Sequence, residues 1–379
     1  MKKIIAAACA AAFCLSGCSA VKRDSGLQRT AEYNESLAPE SCEMSYVPMN
    51  YREQVGIWLP YVKFPEIMQG KNADGFRKAL GEFLEDAAAD NVNTLYFHVH
   101  PMGDAYYSSE IYPAGVYLDG GFDALGIVLD EAHKRGISVH AWINPLRLQT
   151  DEVMRTLPDD YIIKRWINDG EPYVKNVNGR WYLDPAYEKT VELLTRTVSE
   201  ILDNYRVDGL QIDDYFYPTT DPEFDREAFE ASGCTDLAEW RTGNVNRFVK
   251  AIYDTVKSRD ERLVFGISPQ GNIRVDYDTQ YADVRLWGGE KGYCDYIVPQ
   301  IYYGFENENS PFLPTLGEWV ELVGDSGVSL IIGLAAYKLG REDKWAGEAA
   351  ELEWINDPDI IRKQIEAVKK SAADGYALY

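Results

Sequence analysis

Short apolar runs rich in β-branched and aromatic residues alternate along the chain with longer segments in which apolar residues recur at helical spacing. This alternation predicts parallel β-strands joined by crossover helices. Eight of the short runs have the length and composition of buried strands. They lie at residues 56–60, 94–100, 138–144, 209–213, 263–268, 296–302, 330–335 and 376–379.

Seven amphipathic segments between these runs predict helices, and some end as helices commonly do, with a glycine after a basic last turn, as in 131–136 (EAHKRG). Eight strands with seven intervening helices favour an α/β fold, a (β/α)8 TIM barrel, over an open sheet. The predicted helices lie at about 74–90, 122–135, 186–204, 237–258, 278–290, 315–324 and 358–373.

The chain stops at Tyr379, inside or just after the eighth predicted strand. We therefore expect a barrel that lacks its last helix, either because the sequence is truncated or because that helix is dispensed with. Truncation is the favoured interpretation, since a missing outer helix would expose apolar barrel surface.

Two connections are long for a compact domain, residues 146–184 after the third predicted strand and 215–236 after the fourth. Long loops are usually functional, and on a barrel both would leave the carboxyl face, where active sites lie.

Polar and aromatic side chains occupy every second position of several predicted strands. Because alternate residues of a barrel strand face the interior, this period marks the side of each strand that points inward. The carboxyl end of the interior is therefore predicted to be polar and aromatic. The residues so assigned are Tyr96, His98 and His100 on the second strand, Ser138, His140, Trp142 and Asn144 on the third, and Gln300 and Tyr302 on the sixth.

The fourth predicted strand gives the strongest candidates for chemistry. Gln211 and Asp213 take the inward side, and Asp214 follows where the strand ends. Adjacent carboxylates in a partly dry pocket repel each other and raise one pKa, which suits an acid and base pair. A purely structural role is the alternative, in which one aspartate caps the following turn or pairs with Arg147. This alternative fits Asp214 better than Asp213.

His98 and His100 resemble a metal-binding pair, and His140 is predicted to face the same interior. We favour a site without metal, since no inward carboxylate lies on the same or the next strand. His133, on a predicted helix, is interpreted as a packing residue. Neither a nucleophile elbow nor a phosphate-binding glycine loop is present, which argues against acyl transfer and nucleotide chemistry.

The first residues carry an export signal. Met1, Lys2 and Lys3 precede an apolar run at 4–15 that is too short to span a membrane, and the run leads into Ser16, Gly17 and Cys18. We expect residues 1–17 to be a lipoprotein signal peptide, Cys18 to carry lipid, and the polar stretch 18–50 to tether a domain formed by 51–379. This predicts a cell-envelope location, anchored to the outer or plasma membrane.

The composition of the chain limits the classes of molecule that it is expected to bind. With 38 lysines and arginines against 61 aspartates and glutamates, the net charge of −23 argues against nucleic acid, which needs a basic footprint. The 26 tyrosines and 9 tryptophans suit the faces of sugars, although most must serve ordinary packing. No cofactor is expected, and the oligomeric state is not predicted.

Five segments occur in the order found in a known family: YFHVHPMGDAY (96–106), EAHKRGISVHAWINPLR (131–147), VDGLQIDDYFYP (207–218), GISPQG (266–271) and DYIVPQIYY (295–303). From about Gly56 onward the chain resembles the bacterial glycoside hydrolase family 10-like proteins, envelope lipoproteins and secreted enzymes. The resemblance implies a (β/α)8 barrel that hydrolyses glycan strands, notably peptidoglycan without stem peptides. It also implies functional roles for Asp104, Asn144, Arg147, Asp213, Asp214, Gln300 and Tyr302. Where the family tends to have glutamine and arginine on the second strand, this sequence has His98 and His100.

Together these features predict hydrolysis of O-glycosidic bonds in a polysaccharide, most simply peptidoglycan. Asp213 is the first choice as nucleophile or base, and Asp214 as acid, followed by Asp104, Asp184 and Glu306. The alternatives are a carbohydrate-binding lipoprotein without turnover and a metal-dependent polysaccharide deacetylase using His98 and His100. The predicted substrate-binding residues are His98, His100, His140, Trp142, Asn144, Arg147, Gln211, Tyr215, Tyr217, Gln300 and Tyr302.

Overall fold

The structure is a computed structural model that describes residues 46–379. The predicted signal peptide, the lipidation site at Cys18 and most of the tether lie outside these residues. No helix in the described range is both long and apolar enough to cross a membrane.

Residues 46–379 form eleven strands. In chain order they are β1 (Gln54–Leu59), β2 (Thr94–His100), β3 (Ser138–Ile143), β4 (Arg147–Thr150), β5 (Val174–Val177), β6 (Arg180–Leu183), β7 (Gly209–Ile212), β8 (Val264–Ile267), β9 (Tyr296–Ile297), β10 (Ser329–Leu334) and β11 (Gly375–Leu378). Eight of them close into a parallel barrel in the order β1-β11-β10-β9-β8-β7-β3-β2. This confirms the predicted (β/α)8 barrel and all eight predicted strands, although several are shorter than expected.

The helices lie mainly in the connections between barrel strands. They are α1 (Phe64–Ile67), α2 (Ala73–Ala89), α3 (Ala124–His133), α4 (Asp151–Thr156), α5 (Ile162–Asp169), α6 (Glu188–Asn204), α7 (Arg226–Ser232), α8 (Leu237–Arg259), α9 (Ile273–Gln280), α10 (Val284–Gly289), α11 (Phe312–Val323), α12 (Glu353–Asn356) and α13 (Ile360–Lys370). The strand β11 is followed by Tyr379, the last residue of the chain.

One predicted helix is wrong. Instead of a single helix at 278–290, the structure has the short helices α9 and α10. Tyr281 ends α9 with a left-handed backbone (φ 55°), a conformation that stops a helix, and the side chain of Asp283 caps the start of α10.

The connection after β3 is also more ordered than a long loop. It contains β4, β5 and β6, which form a separate antiparallel sheet in the order β4-β6-β5. Arg147 pairs with Tyr182 and Thr150 with Arg180 across β4 and β6. The small sheet therefore places a rigid platform, rather than an irregular loop, beside the carboxyl ends of β3 and β7.

The barrel interior is filled by large rings. Trp58, Tyr96, Trp142 and Tyr296 cluster inside with small and branched apolar residues, whereas Leu95, Phe97 and their helix-facing counterparts join the larger outer core. This arrangement confirms that the alternation in sequence separates interior from exterior positions. It also makes the barrel interior a packed core.

The amino end of the barrel is closed by residues that were assigned to the tether. Asn50 donates to the carbonyls of Asp208 and Arg262, and the backbone N–H of Met49 and the hydroxyl of Tyr46 donate to the Asp208 carboxylate. Residues 46–50 of the predicted tether thus supply polar contacts to this end of the barrel.

Candidate active site

Asp213 and Asp214 lie where β7 ends, at the carboxyl face of the barrel. Asp213 is 4% exposed, and its carboxylate accepts the backbone N–H of Tyr215 at 3.3 Å. Asp214 is half-buried and faces the ends of the neighbouring strands β8 and β9. The structure therefore brings the two predicted carboxylates together at the mouth of the barrel.

The two carboxyl groups have different electrostatic environments. Burial raises the pKa of Asp213 well above its ordinary value, and repulsion by Asp214 adds to the shift. Burial also raises the pKa of Asp214, but the side-chain amides of Gln300 and Gln270 favour its charged form. Burial therefore favours the neutral form of both groups, and the two amides oppose this effect at Asp214.

A short hydrogen-bonded frame orients the amides around Asp214. Gln270 and Gln300 stand opposite each other in an isolated parallel bridge, and Gln300 donates to the carbonyl of Ser268 at 3.0 Å. The backbone N–H of Gln270 donates to the buried carboxyl of Asp276 at 3.0 Å. Gln270 and Asp276 were not predicted as site residues, although the loop that carries Gln270 is in one of the five recognised segments.

Aromatic rings form the floor beside Asp213. His98 stacks face to face on Trp142, with ring centroids 3.6 Å apart, and Tyr61 contacts the edge of His98 at 5.7 Å. The indole of Trp142 favours the charged form of Asp213 but makes no hydrogen bond of good geometry. Asn144 is fully buried beside His98, and its Nδ2 donates to the carbonyl of Pro101 at 3.0 Å.

Two rims surround this floor. On one side the guanidinium of Arg147 lies 4.3 Å from the ring centroid of Tyr215, which is 39% exposed. On the other side Tyr302 stacks on Tyr379 and meets Tyr337 edge to face, both with centroids 5.9 Å apart. The mouth thus presents several aromatic rings close to the carboxylate pair, an arrangement suited to sugar rings.

Four predicted substrate-binding residues lie away from this mouth. A bulge in β2 shifts the register between His98 and His100, so that His100 pairs with the helix-facing Ile143. Its ring packs on Tyr112 at 4.2 Å, and its Nδ1 bonds the carbonyl of Asp104. The extra residue therefore turns His100 out of the barrel interior.

His140 and Gln211 face the interior but lie below the mouth. His140 bonds the hydroxyl of Tyr296 and the side chain of Asn50, which belongs to the segment that closes the amino end. Gln211 is fully buried and accepts the indole N–H of Trp58 at 2.7 Å. The structure therefore does not bring either residue to the mouth, where substrate-binding side chains are expected from the sequence.

Tyr217 belongs to a second buried cluster, outside the barrel. Its ring lies 5.0 Å from the guanidinium of Arg241, which forms an ion pair with Asp225 at 2.6 Å. Both partners of that ion pair are fully buried. Tyr217 therefore packs the connection after β7 in place instead of lining the mouth.

The other proposed acids are dispersed. Asp104 accepts the backbone N–H of Met102 within its own turn, and burial raises its pKa to about 6. Asp184 is buried near Asp225, and burial raises its pKa to about 7. Glu306 lies with Glu353 in a surface depression beside α13. None of the three lies beside Asp213 at the end of β7, as the half-buried Asp214 does.

The geometry bears on the predicted alternative of a metal site. Because the bulge in β2 turns His98 and His100 to opposite sides of the strand, the pair cannot converge on one ion in this conformation. Among residues 46–379 no group of three or more histidine, cysteine, aspartate or glutamate side chains has the arrangement of a metal site.

A sequence model of the family described as Glycosyl hydrolase-like 10 matches residues 54–348, which covers the barrel up to the connection after β10. The chain belongs to this family. Membership supports glycan hydrolysis or glycan binding as its activity, in agreement with the aromatic mouth.

Two curated relatives carry the same kind of name. The chain is similar to the glycosyl hydrolase DigH of Escherichia coli K12, with 30% identity over 378 residues, covering 87% of this chain and 82% of that protein. It is also similar to the glycosyl hydrolase YngK of Bacillus subtilis 168, with 29% identity over 320 residues, covering 76% of this chain and 61% of that protein.

Solved structures share the fold. The glycoside hydrolase domain of PgaB (BpsB) from Bordetella bronchiseptica has a TM-score of 0.57 at 15% identity, covering 86% of this chain and 93% of that one. The α-L-fucosidase isoenzyme 2 of Paenibacillus thiaminolyticus has a TM-score of 0.52 at 13% identity, covering 86% of this chain and 46% of that one. At these identities the likeness concerns the barrel alone.

Proposed function

We propose that the protein hydrolyses O-glycosidic bonds in a cell-envelope polysaccharide, with peptidoglycan glycan strands as the first candidate substrate. The observation that carries the proposal is the pair of adjacent carboxyl groups at the barrel mouth, of which the buried Asp213 is the easier to keep protonated. Hydrolysis of a glycosidic bond requires one carboxylic acid and one carboxylate next to the scissile bond.

In this mechanism Asp213 donates its proton to the leaving oxygen, and Asp214 acts as the carboxylate. Asp214 suits the second role because the amides of Gln300 and Gln270 stabilise its charge. Asp214 then either attacks the anomeric carbon, forming a glycosyl ester that water hydrolyses with Asp213 now acting as base, or takes the proton of a water molecule that attacks this carbon directly. Retention of the anomeric configuration in the product, measured by NMR, would indicate direct attack, and inversion would indicate an activated water.

The mechanism predicts a pH dependence. Activity requires ionised Asp214 and protonated Asp213, and both pKa values are raised above the ordinary aspartate value of 3.8. We therefore expect activity to rise with pH through the pKa of Asp214 and to fall again as Asp213 loses its proton. An acidic limb at or below the ordinary value would contradict this assignment.

The location follows from the sequence as a proposal. Lipid on Cys18 would hold the barrel at the outer or plasma membrane, facing the periplasm or the exterior, where envelope polysaccharides are found. Incorporation of labelled palmitate into the wild-type chain but not into a Cys18→Ala variant would support this part of the proposal. Equal labelling of both would refute it.

The function is tested by the release of reducing ends from purified glycans. The substrates are peptidoglycan strands with and without stem peptides, chitin-type polymers and plant polysaccharides. The full-length protein in detergent is compared with Asp213→Asn and Asp214→Asn, and with Asp325→Asn as a control in an exposed loop. We expect the first two variants to lose at least ~100-fold in rate and the control to match wild type.

A non-catalytic carbohydrate-binding protein remains the second candidate, because the aromatic mouth alone is enough to bind sugars. It predicts binding of a glycan by the wild-type chain with no reducing ends released from any substrate. Unchanged cleavage by Asp213→Asn would instead overturn the assignment of the acid. A metal-dependent deacetylase would instead release acetate without new reducing ends, and a chelator would stop this release.

A further inference from the structure

Two arginines project from one face of the small sheet beside the mouth. Arg147 on β4 stands opposite Tyr182 on β6, so these two side chains point to the same side. Arg180 precedes Tyr182 by two residues and therefore shares that side as well. Arg180 also contacts Met102 in the loop after β2, and it lies close enough to Tyr61 and Tyr215 to interact with them electrostatically. Both guanidinium groups thus belong to the rim of the barrel mouth.

The arginines are held in place without a carboxylate partner. Arg180 donates through Nη1 to the carbonyl of Leu148 at 2.8 Å, and Arg147 lies over the ring of Tyr215. The Nε of Arg147 is buried and makes no hydrogen bond. In the part of the chain that the structure describes, neither guanidinium forms an ion pair, although Asp213 and Asp214 are near enough to Arg147 to feel its charge.

This arrangement is unfavourable in the absence of a ligand. Burial disfavours the charged form of Arg180, and the like charge of Arg147 adds to this effect. Asp213 and Asp214 offset part of the charge of Arg147, but among residues 46–379 no carboxylate forms an ion pair with either arginine. A bound anion would provide the missing hydrogen bonds to two partly desolvated guanidinium groups.

We propose that Arg147 and Arg180 bind a carboxylate on the substrate, and that Arg180 makes the enzyme selective for glycans that carry a free acid close to the scissile bond. The inference rests on the proposed function and specifies its substrate class. A carboxylate fits because its two oxygens match the planar fork of a guanidinium. Its source is either the lactyl group of a muramic acid residue without stem peptide or the acid of a uronic acid residue.

The position explains why such a contact affects the reaction. Arg147 interacts electrostatically with Asp213 and Asp214, so a carboxylate held between Arg147 and Arg180 lies on a sugar near the bond that is cut. Without the arginines, the net charge of −23 would repel a polyanionic strand. The pair therefore supplies both local attraction and a fixed orientation of the sugar.

The test compares one glycan in two forms. Peptidoglycan strands without stem peptides are used as free acids and after conversion of their carboxylates into primary amides. For the wild-type chain we expect amidation to lower kcat/KM by about 10- to 100-fold. Arg180→Gln should lose the same factor on the acid and change little on the amide, and Arg180→Lys should recover part of the loss. Arg155→Gln, in the exposed last turn of α4, is the matched control.

Several outcomes would overturn the inference. Equal rates of the wild-type chain on acid and amide would show that no carboxylate is recognised. Equal loss on both forms in Arg180→Gln would show that Arg180 acts through its bond to Leu148, as a structural residue. Thermal unfolding of each variant separates this effect from loss of the fold.

Failure of the proposed function can be distinguished from failure of this inference. If the wild-type chain cleaves neither form, its binding of the free acid and of the amide can still be measured by calorimetry. Tighter binding of the free acid, abolished by Arg180→Gln, supports the carboxylate site in a non-catalytic protein, and equal binding refutes it. Competition by polygalacturonate fragments, compared with muramic acid fragments, identifies the source of the carboxylate.

Discussion

Replacing Asp184 by asparagine separates a catalytic from a structural interpretation of this residue. Asp184 is fully buried, and one carboxyl oxygen accepts the backbone N–H of Ala186 at 2.9 Å, whereas the other has no partner. Burial raises its pKa from 3.8 to about 7, with repulsion by Asp225 adding to the shift. Asparagine keeps the acceptor for Ala186 and, like the protonated acid, carries no charge.

The magnitude follows from the pKa shift. Above pH 7 the folded wild-type protein must hold a buried charge, and a shift of about 3 units corresponds to about 4 kcal/mol of lost stability. In the wild type this loss begins near the unfolded pKa of 3.8 and is complete once the pH exceeds the folded pKa of about 7. Asp184→Asn does not titrate and should therefore be more stable by up to ~4 kcal/mol at pH 8 and nearly unchanged at pH 4.

The assay is thermal unfolding of wild type, Asp184→Asn and the loop control Asp325→Asn at several values between pH 4 and pH 8. For a domain of about 330 residues, an unfolding entropy of ~0.7 kcal/mol/K converts the full effect into a gain in Tm of ~6 °C. Activity on glycans should be retained. A variant that is destabilised at pH 8, or a difference that does not vary with pH, would refute the reasoning. Loss of activity in a folded variant would instead restore Asp184 as the acid.

The remaining predictions concern the frame around Asp214 and the closure of the amino end. Gln270→Met removes an amide that favours the charged form of Asp214, so the acidic limb of the pH–activity profile should move up by about one unit, which an unshifted profile would contradict. Burial disfavours the charged form of Asp208, but hydrogen bonds from His133 and Tyr46 outweigh this effect and lower its pKa. The ionised Asp208 therefore stabilises the fold above about pH 4, and this stabilisation is lost as the pH falls below that value. Asp208→Asn should therefore cost about 2–3 kcal/mol in urea unfolding at pH 7 and less at low pH. It should also speed hydrogen exchange of residues 46–50, and unchanged exchange would contradict the proposed closure.

Much of the barrel could be predicted because its pattern is periodic. Alternation along the second and third strands correctly separated the interior Tyr96 and Trp142 from the exterior Leu95 and Val139. The same period assigns a side chain to a face but not to a height along the barrel axis. His140 was therefore expected at the mouth, although it lies one layer below Trp142 and bonds Asn50 at the amino end.

Other differences arose where the period breaks. The bulge in β2 inserts one residue, and everything after it exchanges faces, which explains His100. Irregular connections lack any hydrophobic period. The position of Arg180 at the rim depends on its pairing with Thr150 in the small sheet, and no local signal in the sequence predicted this pairing. Tyr217 is close in sequence to the catalytic candidates, but closeness in sequence did not predict its role. Its ring packs on Arg241 in a buried cluster outside the barrel.

The sequence and the structure favour different roles within the carboxylate pair. From the sequence, the strand-end position of Asp213 favoured it as nucleophile or base, since it is the more constrained of the two. The constraint is burial, and burial makes a negative charge costly. Asp214, one residue later, keeps solvent and two amides and can therefore carry charge more easily. On this argument the more deeply buried Asp213 suits the proposed proton donor, and the less buried Asp214 suits the proposed carboxylate.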